Sequence, residues 1–538
     1  MKRNLLSLLL ISVFLFPSAV FAQTTVKLSP AEKKIAEGVT AKQLSDYLYF
    51  VASDEMEGRD TPSRGLDTTA KFIGMNLARW GFKPAGDSGT YYQKIAIRAE
   101  STDPTGNKLS IAGKEYTFQE DFFRTAGNGT VEAPLVYVRD GWMIKSKGID
   151  AYQGVEVKDK IVVLYSQSPA RGNRPTNPPA GVTQSDLTGN RGTDWADPIT
   201  YAMQSGAKGI ILIASGPFTP QMKNFFSRGI SFPEKLRDAP PSLPVMLVSP
   251  AVGDAILAGE SGNRDSAASF TTNKTASMTV ASHIETKWTQ NVVALWEGSD
   301  PVLKNEMVAI GAHYDHIGIS QNPTATDRIN NGADDDGSGT VSVLSIAEAL
   351  SKAPTRPKRS ILFVWHCGEE KGLWGSEYFN KFPTVDIKNV IAQLNIDMIG
   401  RSKKADDANP KNKDLSGESA IFVIGKDMMS STLGSIVDAT NKGYLNLNYD
   451  TRYDDPKDTN RFFFRSDHFN YALNGIPITF WFDGVHEDYH QPGDEPQKID
   501  YNKMEKVART ILLTLLEVTN LKERPKIDKQ LPPELTQR

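Results

Sequence analysis

One cysteine, Cys367, is all that the chain has in 538 residues. No intramolecular disulfide can form, and no metal can be held by a thiolate cluster, so any bound ion must rely on imidazole and carboxylate. A surplus of one charge sign is also missing: 61 Lys and Arg face 64 Asp and Glu, a net charge of −3, with no long run of either. That excludes the electrostatic footprint of a nucleic-acid binder. After residue 22 no stretch is apolar for the roughly 20 residues that a membrane span needs. Histidine, finally, is absent from the first 282 residues.

The start of the chain has a different texture. Met1-Lys2-Arg3-Asn4 precedes an apolar stretch from Leu5 to Phe16, then Pro17 and Ser18, then Val20-Phe21-Ala22. This reads as a signal peptide cleaved after Ala22 and predicts a secreted or periplasmic protein with no membrane span once it is removed. The rest is long enough for several domains at roughly 100 to 200 residues each. Helical periodicity runs through Leu44, Tyr47, Leu48 and Val51, and again through Ala70, Ile73, Leu77 and Trp80. From about residue 126 to 275, short strands (Leu135–Val138, Lys160–Leu164, Gly209–Ile213, Pro244–Val248) are separated by Pro/Gly/Asn-rich segments, predicting a small β-rich module inserted into a larger domain. That larger domain is predicted over 23–125 and 276–521, with a tail at 522–538. Its second part alternates strands (Val292–Trp296, Val308–Ala312, Ile361–His366, Val390–Ile396, Ile421–Ile424, Ile478–Phe482) with helices (Thr340–Lys352, Met428–Lys442, Asn502–Asn520). Continuous apolar strands alternating with helices predict an α/β fold with a mostly parallel central sheet flanked by helices.

Six of the seven histidines fall between residues 313 and 490, interleaved with carboxylates just after predicted strands. In an open α/β sheet that edge is where ligands bind. His313-Tyr314-Asp315 places Asp315 where it can accept a hydrogen bond from His313, although such a pair alone is equally a structural one. Asn331 to Gly339 carries Asp334, Asp335 and Asp336 in succession; their repulsion calls for cations or a helix N-terminus, and the spacing is not that of an EF-hand calcium loop. Glu369-Glu370 follows a buried strand, and in extended backbone the two would face opposite ways, one to ligate a metal and one to meet its water. Asp397 emerges from the run Val390–Ile396, where an unpaired Asp is costly. His490 follows the strand Ile478–Phe482. Two histidines, three carboxylates and a spare glutamate are the inventory of two divalent ions sharing one carboxylate beside a general base.

The order His-x-Asp, Gly-Ala-Asp-Asp-x-Gly-Ser-Gly, Glu-Glu-x-Gly-Leu-x-Gly-Ser, Asn-x-Asp-Met and Tyr-His-x-Pro resembles the secreted di-zinc aminopeptidases, relatives of glutamate carboxypeptidase and the transferrin-receptor ectodomain. Ser53 to Arg59 resembles that family's opening segment, and 126–275 resembles its inserted protease-associated domain. The resemblance implies two Zn2+ per chain, one between His313 and Asp397, the other between Glu370 and His490, with Asp335 bridging. It implies Glu369 as general base, Tyr489 as a donor to the oxyanion, and Asp315 and Asp467 as supports. Peptides with a free N-terminus would be the substrates. A dipeptidase or carboxypeptidase, a glutaminyl cyclase, and a non-enzymatic metal-stabilised binding protein are the competing readings. His316, His366 and His486 receive no role, His366 being read as a core residue.

Overall fold

The computed structural model describes residues 26–536 apart from 104, 167–177, 184–185, 228–229, 238–242, 263–267 and 323. The expected signal peptide, 1–22, lies outside the described residues. The chain forms two compact units, one from the residues up to Lys94 together with Gln290–Arg538, the other from Ile95–Thr289. Among the described residues no helix is long and apolar enough to cross a membrane.

The Ile95–Thr289 unit is built on a mixed sheet. Strands Gly129–Tyr137, Ile161–Tyr165, Gly209–Ile213 and Val245–Val248 run parallel at its centre, flanked on one side by Phe270–Val280 and Lys108–Ile111 and on the other by Phe122–Ala126, all antiparallel. Alternation along the strand fills two separate cores: Ile161 and Val163 pack into one, Val162 and Leu164 into the other. Both faces are therefore buried, which is why these strands read as continuous apolar runs. The unit starts earlier and ends later than the expected 126–275, because Lys108–Ile111 and Phe122–Ala126 hydrogen-bond into this sheet.

The other unit begins with helices α1 (Pro30–Ala36), α2 (Ala41–Val51) and α3 (Arg64–Arg79), each opened by a hydroxyl that accepts a backbone N–H: Ser29, Thr40 and Ser63. Strand β1 (Lys83–Pro84) pairs antiparallel with β2 (Ser282–Trp296). The sheet then runs from β2 through β4 (Ser360–His366), β3 (Met307–His313), β5 (Val390–Ile396), β8 (Ile478–Phe482) and β6 (Ala420–Ile424) to β7 (Asn448–Asp450). Strands β4, β3, β5 and β8 are mutually parallel, with β2 and β6 antiparallel at their flanks. All seven residues of β3, β4 and β5 are buried.

Helix α4 (Gly339–Ser351) returns the chain after β3, and α8 (Tyr501–Asn520) packs against α2, α4 and α6 (Ser431–Gly443). Two short helices absent from the sequence reading, α5 (Trp374–Lys381) and α7 (His468–Leu473), are too brief to show a helical period. The expected C-terminal tail is pinned by Lys529 N–H donating to the Met429 carbonyl, and Leu535 is buried.

His468 opens α7 with its ring stacked on Phe480, centroids 4.5 Å apart, and burial pushes its imidazole down to about 3. The unfolded chain takes up a proton at this residue below about pH 6.5, whereas the folded chain does not. Stability is therefore lost as pH falls from about 6.5 towards 3, by up to about 1.4 kcal/mol per pH unit. In His468→Gln the drop in unfolding free energy between pH 7 and 5 should be visibly smaller than in the wild type; parallel pH profiles would mean that folded His468 accepts the proton.

Candidate metal centre

Parallel pairing brings the chemistry to one edge. His313 and His366 are register partners at the ends of β3 and β4, and Asp397 directly follows β5. The segment Gly332–Gly339 is fixed by dividing the work of its three adjacent aspartates. Asp334 Oδ1 accepts the Gly400 N–H at 2.7 Å, and Asp336 Oδ1 accepts those of Gly339 and Met398 at 2.9 and 3.1 Å. The backbone N–H groups of Asp334 and Asp335 both donate to Asp494 Oδ2, at 3.0 and 3.1 Å. Asp335 is thereby presented with its own carboxylate uncommitted to backbone.

Asp335 faces two ways. Its Oδ1 lies 3.3 Å from His313 Nε2, which is also 3.7 Å from Asp397 Oδ1; its Oδ2 lies 3.1 Å from His490 Nε2 and 3.6 Å from His316 Nδ1. Glu370 joins the second group, with Oε2 at 3.0 Å from His490 Nε2 and Oε1 at 2.8 Å from His316 Nδ1. Donor atoms of His313, Asp336 and Asp397 converge in one cluster and those of His316, Asp335 and Glu370 in another. The structure thus gathers His313, Asp335, Glu370, Asp397 and His490, and adds Asp336 and His316, which the sequence reading had not assigned.

Asp315 supports His313 differently from expectation. Its backbone carbonyl accepts from Nδ1 at 3.1 Å, while its carboxylate stands 3.6 Å away and accepts the Glu369 N–H at 3.1 Å. Glu369 and Glu370 sit in a turn after β4 rather than in extended backbone: Gly368 has φ +68°, and the Glu369 carbonyl accepts from Gly372 and Leu373. Asp467 lies 3.4 Å from His366 Nδ1, and His366 Nε2 is 3.1 Å from the Tyr471 hydroxyl, all three buried. His486 sits 3.3 Å from Asp334. The Tyr489 ring stacks on His490, centroids 3.9 Å apart, and its hydroxyl accepts from Arg465 at 3.1 Å. Beside Glu369 and Asp397 the cleft is lined by the apolar side chains of Met398, Phe462, Phe480, Phe482 and Val485 together with Arg465 and Tyr489.

The electrostatics describe a site short of positive charge. Burial alone would lower His313, yet the carboxylates of Asp397, Asp315 and Asp335 hold it well above its ordinary value; His490, likewise opposed by burial, is raised to about 10 by Asp335 and Glu370. Burial, with Glu370 and Asp397 nearby, pushes Glu369 well above the usual carboxylate range. Asp335 Oδ2, Glu370 Oε1 and His490 Nε2 find no hydrogen-bond partner among the described residues. Orphaned, converging nitrogen and oxygen donors with excess negative charge fit divalent cations.

A residue that the opening-segment resemblance included without a role braces this arrangement. The Arg59 guanidinium, fully buried, donates to the carbonyls of Tyr314 at 3.0 Å, Val51 and Asn331 at 2.7 Å and Gly332 at 2.8 Å. Burial lowers it to about 10, and Asp315, Asp335, Asp336 and Asp494 oppose that, so it stays charged at neutral pH. Arg59→Met should leave four carbonyls without this donor and cost about 3 kcal/mol of unfolding free energy or more; an unchanged denaturation midpoint would show that the guanidinium is not structural.

Residues 291–515 match the sequence profile described as Peptidase family M28. The chain is 30% identical over 210 residues to leupeptin-inactivating enzyme 1 of Streptomyces exfoliatus, covering 39% of this chain and 38% of that protein. It is 30% identical over 212 residues to a probable leucine aminopeptidase 2 of Aspergillus fumigatus, covering 39% of this chain and 36% of that one. The matched stretch thus spans under two fifths of either relative's length. The fold is similar to the solved structure of an aminopeptidase from Aneurinibacillus sp. strain AM-1, with a TM-score of 0.51 and 19% identity over 93% of this chain and 98% of the other. With the profile match falling on the strands and loops that build the metal centre, residues 291–515 are a Peptidase family M28 domain.

Proposed function

We propose that the chain is an exported metallo-exopeptidase, an aminopeptidase that removes single N-terminal residues with two zinc ions. The observation that carries this reading is Asp335, one oxygen turned to His313 and the other to His490. His313 and Asp397 would hold one ion and Glu370 and His490 the other, with Asp335 shared. When bound, such a pair supplies Lewis acidity, lowering the pKa of water and polarising a peptide carbonyl. Similarity to a probable leucine aminopeptidase supports the substrate class.

The chain's own groups do the rest. The Glu369 carboxylate takes a proton from the attacking water and delivers it to the leaving amine nitrogen. Asp315 serves both partners, steadying His313 through its carbonyl and Glu369 through its carboxylate. Tyr489, fixed by its stack on His490 and by Arg465, donates to the oxyanion. Asp467 acts at one remove, by setting His366. The carboxylate surplus draws the substrate's terminal ammonium, and the apolar wall takes its side chain. The Ile95–Thr289 unit is read as the inserted protease-associated module.

The test is a panel of aminoacyl p-nitroanilides and their N-acetylated forms, with and without chelator and added zinc. The free-amine substrates alone should be cleaved, with activity lost on chelation and regained with zinc. Glu369→Gln should lower turnover by about 10²- to 10⁴-fold while still taking up two zinc equivalents. Failure of the zinc-replete protein to cleave any free-amine substrate would overturn the aminopeptidase reading in favour of a dipeptidase, a cyclase or a binding role.

A further inference from the structure

The cleft beside Glu369 and Asp397 has one cationic side chain among its lining residues, Arg465. It is exposed, and the Phe462 and Tyr489 rings lie 5.0 and 5.8 Å from its guanidinium carbon. Its Nη2 donates to the Tyr489 hydroxyl at 3.1 Å. Among the described residues the guanidinium makes no other hydrogen bond and no ion pair, so most of its five N–H donors are left open. The acids of the cleft are otherwise engaged: Asp335 and Asp397 face the histidines, and Glu369 is the base of the reading above.

Positioning Tyr489 is the simpler use of this residue, but it takes one donor and no charge. A guanidinium is always ionised, and its planar fork matches a carboxylate. Where the chain supplies no anion, the fork is matched by one that the substrate carries in. Reach then decides which anion. With the Tyr489 hydroxyl on the oxyanion, the Arg465 nitrogen lies within about 6 Å of that oxygen. In a dipeptide the terminal carboxylate carbon is three bonds, of about 1.33, 1.46 and 1.52 Å, beyond the scissile carbonyl carbon, and so within about 4 Å of it; each further residue carries it outward by about 3.3 to 3.6 Å. The carboxylate of a dipeptide is the one that falls beside Arg465. An acidic first side chain would instead have to lie along the apolar Met398, Phe480 and Val485.

We propose that Arg465 receives the C-terminal carboxylate of a dipeptide, and that dipeptides are the preferred substrates of this exopeptidase. This rests on the aminopeptidase reading above and narrows it. A dipeptide zwitterion meets opposite charge at both ends, its ammonium at the acidic edge of the site and its carboxylate at Arg465. Longer peptides and blocked C-termini keep the first contact and forgo the second.

The test compares kcat/KM of the zinc-loaded full chain for Leu-Ala, Leu-Ala amide and Leu-Ala-Ala. The wild type should favour Leu-Ala over its amide by about 10- to 100-fold, the worth of a hydrogen bond between charged groups, mostly through KM, with Leu-Ala-Ala close to the amide. Arg465→Met also deprives Tyr489 of a partner and should slow both reactions, but it should bring the ratio of Leu-Ala to its amide near one; Arg465→Lys should keep part of that ratio. A wild-type ratio near one would overturn the inference without any variant, as would a ratio that Arg465→Met leaves unchanged. If Leu-Ala and its amide are cleaved alike and Arg465→Met instead erases a preference for Glu- over Gln-p-nitroanilide, the carboxylate belongs to the first side chain and the dipeptide assignment falls. In each of these outcomes the amide is still cleaved and the aminopeptidase reading stands. A zinc-loaded protein that cleaves none of the three peptides would overturn both.

Discussion

Carboxylates buried without side-chain cations to match are the constraint around which the rest of this structure is arranged. Asp315, Asp334, Asp335, Asp336 and Asp397 are all buried, and burying an unpaired carboxylate costs several kcal/mol per ion. Arg59, enclosed among them, spends its donors on four backbone carbonyls, and Arg401, 3.6 Å from Asp494, bonds to Asp488. Compensation therefore comes from backbone N–H groups, and it is unevenly distributed. Asp334, Asp336 and Asp494 each accept main-chain amides with one oxygen and leave the other without a partner, whereas the Asp335 and Glu370 carboxylates are turned to the imidazoles of His313, His316 and His490. The acids anchored to backbone hold the loop in the shape that presents the other two.

The scaffold that tolerates this is correspondingly apolar. Strands β3, β4 and β5 are buried along their whole length, and α4 lies beneath the site with Val341, Val343, Leu344 and Ile346 enclosed. Apolar packing of that extent supplies the stabilisation that offsets the acid cluster. Because interiors are close-packed, it also limits how far each donor can move. Hydrogen bonds such as Trp365 Nε1 to the Thr340 carbonyl, and Thr340 Oγ1 to the His313 carbonyl, tie the start of α4 to β4 and β3.

Much of this was legible in the amino-acid order, for identifiable reasons. Val390–Ile396 and Ile478–Phe482 were delimited to the residue because strands buried on both faces are predominantly apolar, broken here only by Gln393, Asn395 and Thr479, and because Asp397 and Asp483 follow them. His313, Asp335, Glu370, Asp397 and His490 stood out because they follow those runs, and the structure gathers them. His316 did not stand out: a lone histidine after a His-x-Asp carries no spacing of its own, and only the fold shows what it meets. Arg59 and Asp494 were opaque for the same reason, since a buried charge in a loop is recognised by its partners and those lie far off in the chain. The start of the Ile95–Thr289 unit was misplaced because Lys108–Ile111 and Phe122–Ala126 are short, and pairing with distant strands is invisible locally.

The Asp494 hydrogen bonds to Asp334 and Asp335 carry a consequence for the order in which the molecule comes into being. A ribosome that has just released His313, Asp335, Glu370 and Asp397 has yet to make His490 and the aspartate that shapes the loop. The earlier ligands can neither adopt their final geometry nor share an ion with the last one. Assembly of the centre is thus a late, long-range event, of the kind that follows closure of the whole sheet rather than local structure formation. Until His490 and Asp494 have been made, the nascent chain holds only part of this donor set.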